Sequence, residues 1–193
     1  MMQLSHPKVW DNDVVIGLDL SLTASGFARF AVDAPPYATT IPSKGKTADS
    51  LLDRSVRLET IAQRILNSMP EGIPAPLVAV AIETPAHNQT SGHHHDRSGL
   101  WWLTVSALLG QGYNVYEVST TQVKKYATGK GNASKMEVMA AAIKRYPDLD
   151  IANDNEADAV VLAAFLARAL GDPIEESLPQ ANLSALDKFV VSR

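Results

Sequence analysis

Three acidic side chains stand where a sequence rarely leaves a charge. Asp19 ends the apolar run VVIGLD, Glu83 ends LVAVAIE, and Asp158 falls in the first turns of the Ala- and Leu-rich segment 155–170. A carboxylate at the far end of a central strand costs several kcal/mol unless a metal, a cation or hydrogen bonds compensate it. Like charges converging in a low dielectric repel further, and divalent cations relieve that repulsion. Mg²⁺ or Mn²⁺ held by oxygen ligands suits phosphodiester hydrolysis: one ion activates a water and the other stabilises the leaving 3′ oxygen, at a separation of about 3.5–4 Å. Such chemistry needs no serine, histidine or cysteine nucleophile, and the chain has no cysteine at all.

The elements that must position these acids follow from the hydropathy pattern. Val14, Val15 and Ile16 lead without polar alternation into Gly17-Leu18-Asp19, the signature of a strand buried on both faces. Phe27–Val32 and Tyr37–Ile41 fit two further strands of an antiparallel meander, separated by the turn signal Asp33-Ala34-Pro35-Pro36. Residues 50–69 carry the spacing of an amphipathic helix, and Leu77–Ile82 is a second unalternated strand, parallel to the first. Side-by-side parallel strands put Asp19 and Glu83 at one edge of the sheet, where open α/β sheets hold their ligands.

A polar loop, 84–97, leads into an apolar helix over 100–109 and a fifth strand over 113–118. Short helices follow over 120–126 and from the Ser134/Glu137 capping box to Arg145, before the last long helix. The expectation is therefore an α/β fold: a five-stranded mixed sheet, three antiparallel strands plus two parallel, flanked by helices. Ser21, Thr23, Ser25 and Gly26, small residues after the first strand, read as room for a phosphate to approach the backbone.

The chain's 193 residues fit a single domain over 13–171, with a leader at 1–12 and a tail at 172–193 whose amphipathic run 183–190 is a candidate for docking on a partner. With 17 basic and 21 acidic residues the net charge is −4, so nucleic-acid binding has to use a local basic patch rather than the whole surface. No apolar run has the length of a membrane span and residues 1–13 have no apolar signal core, so a soluble, cytoplasmic protein with no membrane partner is expected.

By itself Asp19-x-Ser-x-Thr-x-x-Gly26 resembles both the first phosphate motif of actin-like and sugar-kinase ATPases and the first strand of ribonuclease H-like nucleases. The rest of the chain favours the second. Over roughly 14–170 it resembles the RuvC family of Holliday-junction resolving endonucleases in the ribonuclease H-like superfamily. The resemblance is carried by Gly17-Leu18-Asp19, Arg57-Leu58, Ile82-Glu83, Gln122-Val123-Lys124, Ser134-Lys135 and Ala157-Asp158-Ala159.

What the resemblance implies is a metal-dependent, structure-selective endonuclease. Such an enzyme makes paired symmetric nicks in four-way junctions, leaving 5′-phosphate and 3′-hydroxyl ends. Asp19, Glu83 and Asp158 would be catalytic ligands of two Mg²⁺ ions, with Mn²⁺ able to substitute, and Lys135 would steady the scissile phosphate. Lys124 and Lys135 match the family's basic residues, and a homodimer with paired sites would cut opposed strands. A broader nuclease acting on flaps and forks, or a junction-binding module with little activity, is the alternative.

Three departures qualify the match. Where the family has an acid or a histidine three positions before the last Asp, this chain has Asn155, a neutral oxygen donor. At about 100° per residue, Asp154 also lies near the face of Asp158, whereas Glu156 points away. Ala86 replaces the family's aromatic wedge, so base stacking would shift to His87 or to His93-His94-His95. The acidic balance confines DNA contact to a narrow groove from Arg97, Lys124, Lys125, Lys130 and Lys135, and binding should weaken with salt. Trp101 and Trp102 diverge by about 100° on their helix, which fits one packing inside and the other meeting a second subunit.

Overall fold

A computed structural model describes residues 14–85 and 93–191 of the chain. Its sheet has the order β3-β2-β1-β4-β5, built from β1 (Val14–Asp19), β2 (Ala24–Ala31), β3 (Tyr37–Pro42), β4 (Val78–Glu83) and β5 (Asn114–Val118). β1–β2 and β2–β3 pair antiparallel, while β1–β4 and β4–β5 pair parallel. This is the five-stranded mixed sheet expected from the sequence. The fourth strand sits beside the first because the helix between them crosses over one face of the sheet.

That helix is α1 (Leu51–Asn67), started by a reciprocal capping box of Ser50 and Asp53. It packs with α2 (His94–Gly110) on one face of the sheet. On the other lie α3 (Thr120–Thr128), α4 (Lys135–Arg145) and α5 (Asp154–Ala169). α3 and α4 each open on a capping box, Ser119/Gln122 and Ser134/Glu137.

The loop before α2 is shorter than the sequence suggests. α2 begins at His94, not near Leu100, because Asp96 in its first turn is bonded by the Arg54 guanidinium of α1, with Nε at 3.0 Å from Oδ2. An acid there also suits the helix dipole. His94 and His95 are therefore helical.

Beyond α5, the short helix α6 (Gln180–Leu183) lies against α3. The buried Asn182 amide donates to the carbonyls of Tyr126 and Ala127 at 2.8 and 3.2 Å, covering the end of α3. Phe189 stacks edge-on against Phe165 of α5, so the amphipathic run at 183–190 rests partly on the domain's own core. Among the described residues no helix is long and apolar enough to cross a membrane.

Candidate active site

The two faces of β1 and β4 determine where their terminal acids go. Side chains alternate along a strand, so Val15, Gly17 and Asp19 share a face, as do Ala79, Ala81 and Glu83. That face packs against α5, and it is lined with small residues. A Cβ added at Gly17 would fall 1.9 Å from the Ala159 carbonyl oxygen, and one at Gly26 would fall 1.9 Å from that of Asn155. No side chain larger than hydrogen fits at either position. The first turns of α5 thus lie directly on the backbone of β1 and β2, and Asp158 comes with them.

Gly26 therefore serves the helix, and the expectation that it makes room for a phosphate is corrected. Ser25 is likewise buried, exchanging hydrogen bonds at 3.0 Å with the amide and carbonyl of Ser21 to close the β1–β2 turn.

Asp19, Glu83 and Asp158 line a single cleft of about 440 Å³, together with Asn155, Lys124 and Lys135. Arg97 and His94 of α2 form part of its rim. Burial, then the neighbouring charges of Glu83 and Asp158, push the Asp19 carboxyl well above the usual carboxylate range. Burial and the charge of Glu83 push Asp158 up to about 7. Glu83 is raised by burial, against a hydrogen bond from Thr120 and the charges of Lys135 and Lys124. Ionising the three acids together in this cleft is costly, which is why all three are shifted upward.

Among the described residues no three His, Asp or Glu side chains stand close enough together to enclose a metal ion. The donor chemistry nevertheless fits one. Three carboxylates share a partly desolvated cleft with a surplus of negative charge, and they offer oxygen ligands alone, which hard divalent cations prefer.

Lys135, at the first position of α4, reaches across to Asp154, with Nζ 2.7 Å from Oδ2. That bond raises the Lys135 pKa, to which the charges of Asp158 and Asp19 also contribute. Asp154 is correspondingly held below its ordinary range by Lys135. Asp154 is engaged with the lysine, while Asn155 is the residue of this turn that lines the cleft. Glu156 is turned away, as its helical position requires. Buried, it accepts from the Thr40 hydroxyl at 2.7 Å and from the Ala152 amide at 2.8 Å.

The remaining basic residues separate. Lys124 and Arg97 line the cleft, whereas Lys130 is exposed on the turn between α3 and α4, outside its lining. Lys125 points to the tail, its ammonium 3.5 Å from the Ser184 carbonyl. His87 and Ala86 lie outside the described residues, as does the leader at 1–12.

Two residues that shape the site, Thr120 and Asn153, carry no expectation from the sequence, and two named there, Arg57 and Trp101, take specific roles that the sequence did not assign. Trp101 is buried, and its indole N–H donates to the Glu83 backbone carbonyl at 3.0 Å; Trp102, next to it, is 63% exposed. The Thr120 hydroxyl donates to Glu83 Oε1 at 2.6 Å. Arg57 bonds the Leu22 carbonyl and, through Nε at 3.2 Å, the Ser43 hydroxyl, pinning the turn that follows Asp19. Asn153 caps α5 by accepting from the Glu156 amide at 3.0 Å. Of these, only the cap carries a local signal, an Asn three residues before a Glu.

No family model matches the sequence, and no curated protein sequence does either. Solved structures do match. The chain is similar to the RuvC structure of Thermus thermophilus, with 25% identity and a TM-score of 0.59, covering 80% of this chain and 95% of that one. It is similar also to T. thermophilus RuvC in complex with a Holliday junction substrate, with 23% identity and a TM-score of 0.60, covering 80% and 94%. The five-stranded mixed sheet with its flanking helices is the RuvC-type, ribonuclease H-like fold.

Proposed function

We propose that this RuvC-like chain is a metal-dependent endodeoxyribonuclease that resolves Holliday junctions by paired nicks, acting as a homodimer in DNA recombination and repair. The observation that carries this reading is the meeting in one cleft of three carboxylates from β1, β4 and α5 with two lysines from α3 and α4. One of the similar structures is of a complex with a Holliday junction substrate.

Asp19, Glu83 and Asp158 would hold two Mg²⁺ ions, Mn²⁺ substituting, with the Asn155 side-chain oxygen as a neutral fourth donor. When bound, the ions supply an activated water and a counter-charge for the leaving 3′ oxygen. The chain's own residues do the rest. Ionised carboxylates fix the ion-binding end of the cleft, and bound cations would favour that state against the burial and mutual repulsion that oppose it. Lys135, tethered by Asp154, sets an ammonium beside the scissile phosphate to offset charge that builds up on it. Lys124 and Arg97 neutralise flanking phosphates, Lys130 contacts an arm further out, and His87 is a further DNA-binding residue. The products carry 5′-phosphate and 3′-hydroxyl ends.

The dimer would use the outer faces of α1 and α2, where Leu52, Val56 and Trp102 are 72%, 52% and 63% exposed. Apolar exposure of this size on packed helices marks an interaction surface. Digestion of matched four-way, forked and flapped DNA tests the reading. Symmetric paired nicks confined to the four-way junction support it, and equal cutting of all three substrates favours a broader branched-DNA nuclease. No cutting by the parent chain in Mg²⁺ or Mn²⁺, with junction binding retained, would leave a binding module.

A further inference from the structure

We infer that Thr120 is a positioning residue for Glu83: its hydroxyl fixes which carboxylate oxygen faces the cleft, so that the acid at the end of β4 meets a divalent cation already oriented. The inference rests on the nuclease reading above and extends it to a residue outside the acid set.

The geometry comes from two elements meeting at one corner of the sheet. Glu83 pairs in register with Val118 at the end of β5, and the chain leaves β5 through Ser119 directly into α3. The reciprocal cap of Ser119 and Gln122, with the Gln122 amide bonded to Ser119 Oγ at 3.3 Å, fixes the first turn of that helix. Thr120 is the first residue in it, and its hydroxyl donates to Glu83 Oε1 at 2.6 Å. Thr120 has no role in the cap, so the bond to Glu83 is what its hydroxyl contributes in this structure.

A glutamate at a strand end has three side-chain torsions, the last of them broad, and a free carboxylate there would sample many orientations. The backbone of Glu83 is already anchored, by its ladder to β5 and by the Trp101 indole on its carbonyl. Thr120 anchors the other end. One oxygen is committed to a short O–H···O⁻ bond, and the second is left for the cleft that Asp19 and Asp158 share. Hydrogen bonds from outer residues to ligating carboxylates characteristically change metal affinity by about 10–100-fold.

The test is a titration of the intact protein with Mn²⁺ alone, following free Mn²⁺ by electron paramagnetic resonance, for the parent, Thr120→Val and Thr120→Ser. Thr120→Val keeps the shape and removes the donor; Thr120→Ser restores the donor and removes a methyl. The expected result is Mn²⁺ binding weakened by about tenfold in Thr120→Val and recovered to within about threefold of the parent in Thr120→Ser, with unchanged melting of the metal-free proteins. Equal Mn²⁺ affinity in the parent and Thr120→Val would overturn the positioning role and leave the nuclease reading standing. So would a Thr120→Ser variant as weak as Thr120→Val, since the methyl rather than the hydroxyl would then matter. A parent that binds no Mn²⁺ would overturn the metal-site reading itself, and the role of Thr120 with it.

Discussion

On one side of the sheet β1 and β4 present Val15, Gly17, Ala79 and Ala81 to α5; on the other, the same strands present Val14, Ile16, Leu18, Val78, Val80 and Ile82 to α1 and α2. Both sets are buried, yet they do different work. The large aliphatic face supplies apolar area and holds α1 and α2 at ordinary side-chain spacing. The small-residue face gives up that area so that α5 can lie against the strand backbones, bringing a helical acid level with two strand-end acids. On β1 and β4 the bulky side chains are gathered on one face, and the close approach that brings the acids together is on the other. The acids sit on the second face because side-chain alternation continues from Val15 through Gly17 to Asp19, and from Ala79 through Ala81 to Glu83.

The largest expected effect probes the acid end of the small-residue face. Asp19→Asn should lower junction cleavage by about three orders of magnitude, about 4 kcal/mol in the barrier. The same change should raise the melting temperature of the metal-free protein, because it removes a charge that its surroundings oppose. Single-turnover cleavage and thermal melting read the two effects, and a loss of both activity and stability would break the contrast.

Next come matched substitutions on the two faces. Gly17→Ala puts a methyl where the Ala159 carbonyl already lies and should cost about 3 kcal/mol in chemical denaturation, with loss of activity as α5 is displaced. Its neighbour Ile16→Val, facing α1 and α2, should cost only about 1 kcal/mol and leave cleavage intact. Equal costs at the two positions would mean that the faces do not differ as described.

A smaller effect is linked to pH. Asp158, pushed up to about 7 in the folded protein, binds its proton more tightly there than in the unfolded chain. Metal-free stability should therefore rise as pH falls from about 8 through 7 toward the ordinary carboxyl range, and fall again as pH rises. Thermal melting across that window measures it, and Mg²⁺ added at the alkaline end should recover the lost stability. Large aliphatic residues predict no such dependence for the other face. The smallest effect belongs to Asp154→Asn: the ion pair with Lys135 is solvent-facing, so stability should change by less than about 1 kcal/mol, while cleavage falls by about tenfold as Lys135 loses its tether.

The sheet and the strand-end acids were legible in the sequence because they follow from local rules. Unalternated apolar runs mark central strands, the turn signals separate them, and one charge at the end of each run is conspicuous. The small-residue face was also written there, as Gly17 two positions before Asp19 and Ala79 and Ala81 at alternate positions before Glu83, but two-residue spacing of small side chains was outweighed by the apolar run containing it. The pairing of Lys135 with Asp154 and of Thr120 with Glu83 had no local signature, since each joins residues on different elements. The start of α2 was misplaced for the same reason: Asp96 stabilises that turn through Arg54 on another helix. Gly26 was misread because a glycine after a strand looks alike whether a phosphate or a helix approaches it.

The central claim, that Asp19, Glu83 and Asp158 share divalent cations, is tested most directly by anomalous diffraction from crystals of the protein soaked in Mn²⁺. The account predicts manganese peaks in the cleft within about 2.2 Å of carboxylate oxygens from all three residues. A cleft without a peak under conditions that support cleavage, or manganese bound only elsewhere, would contradict it.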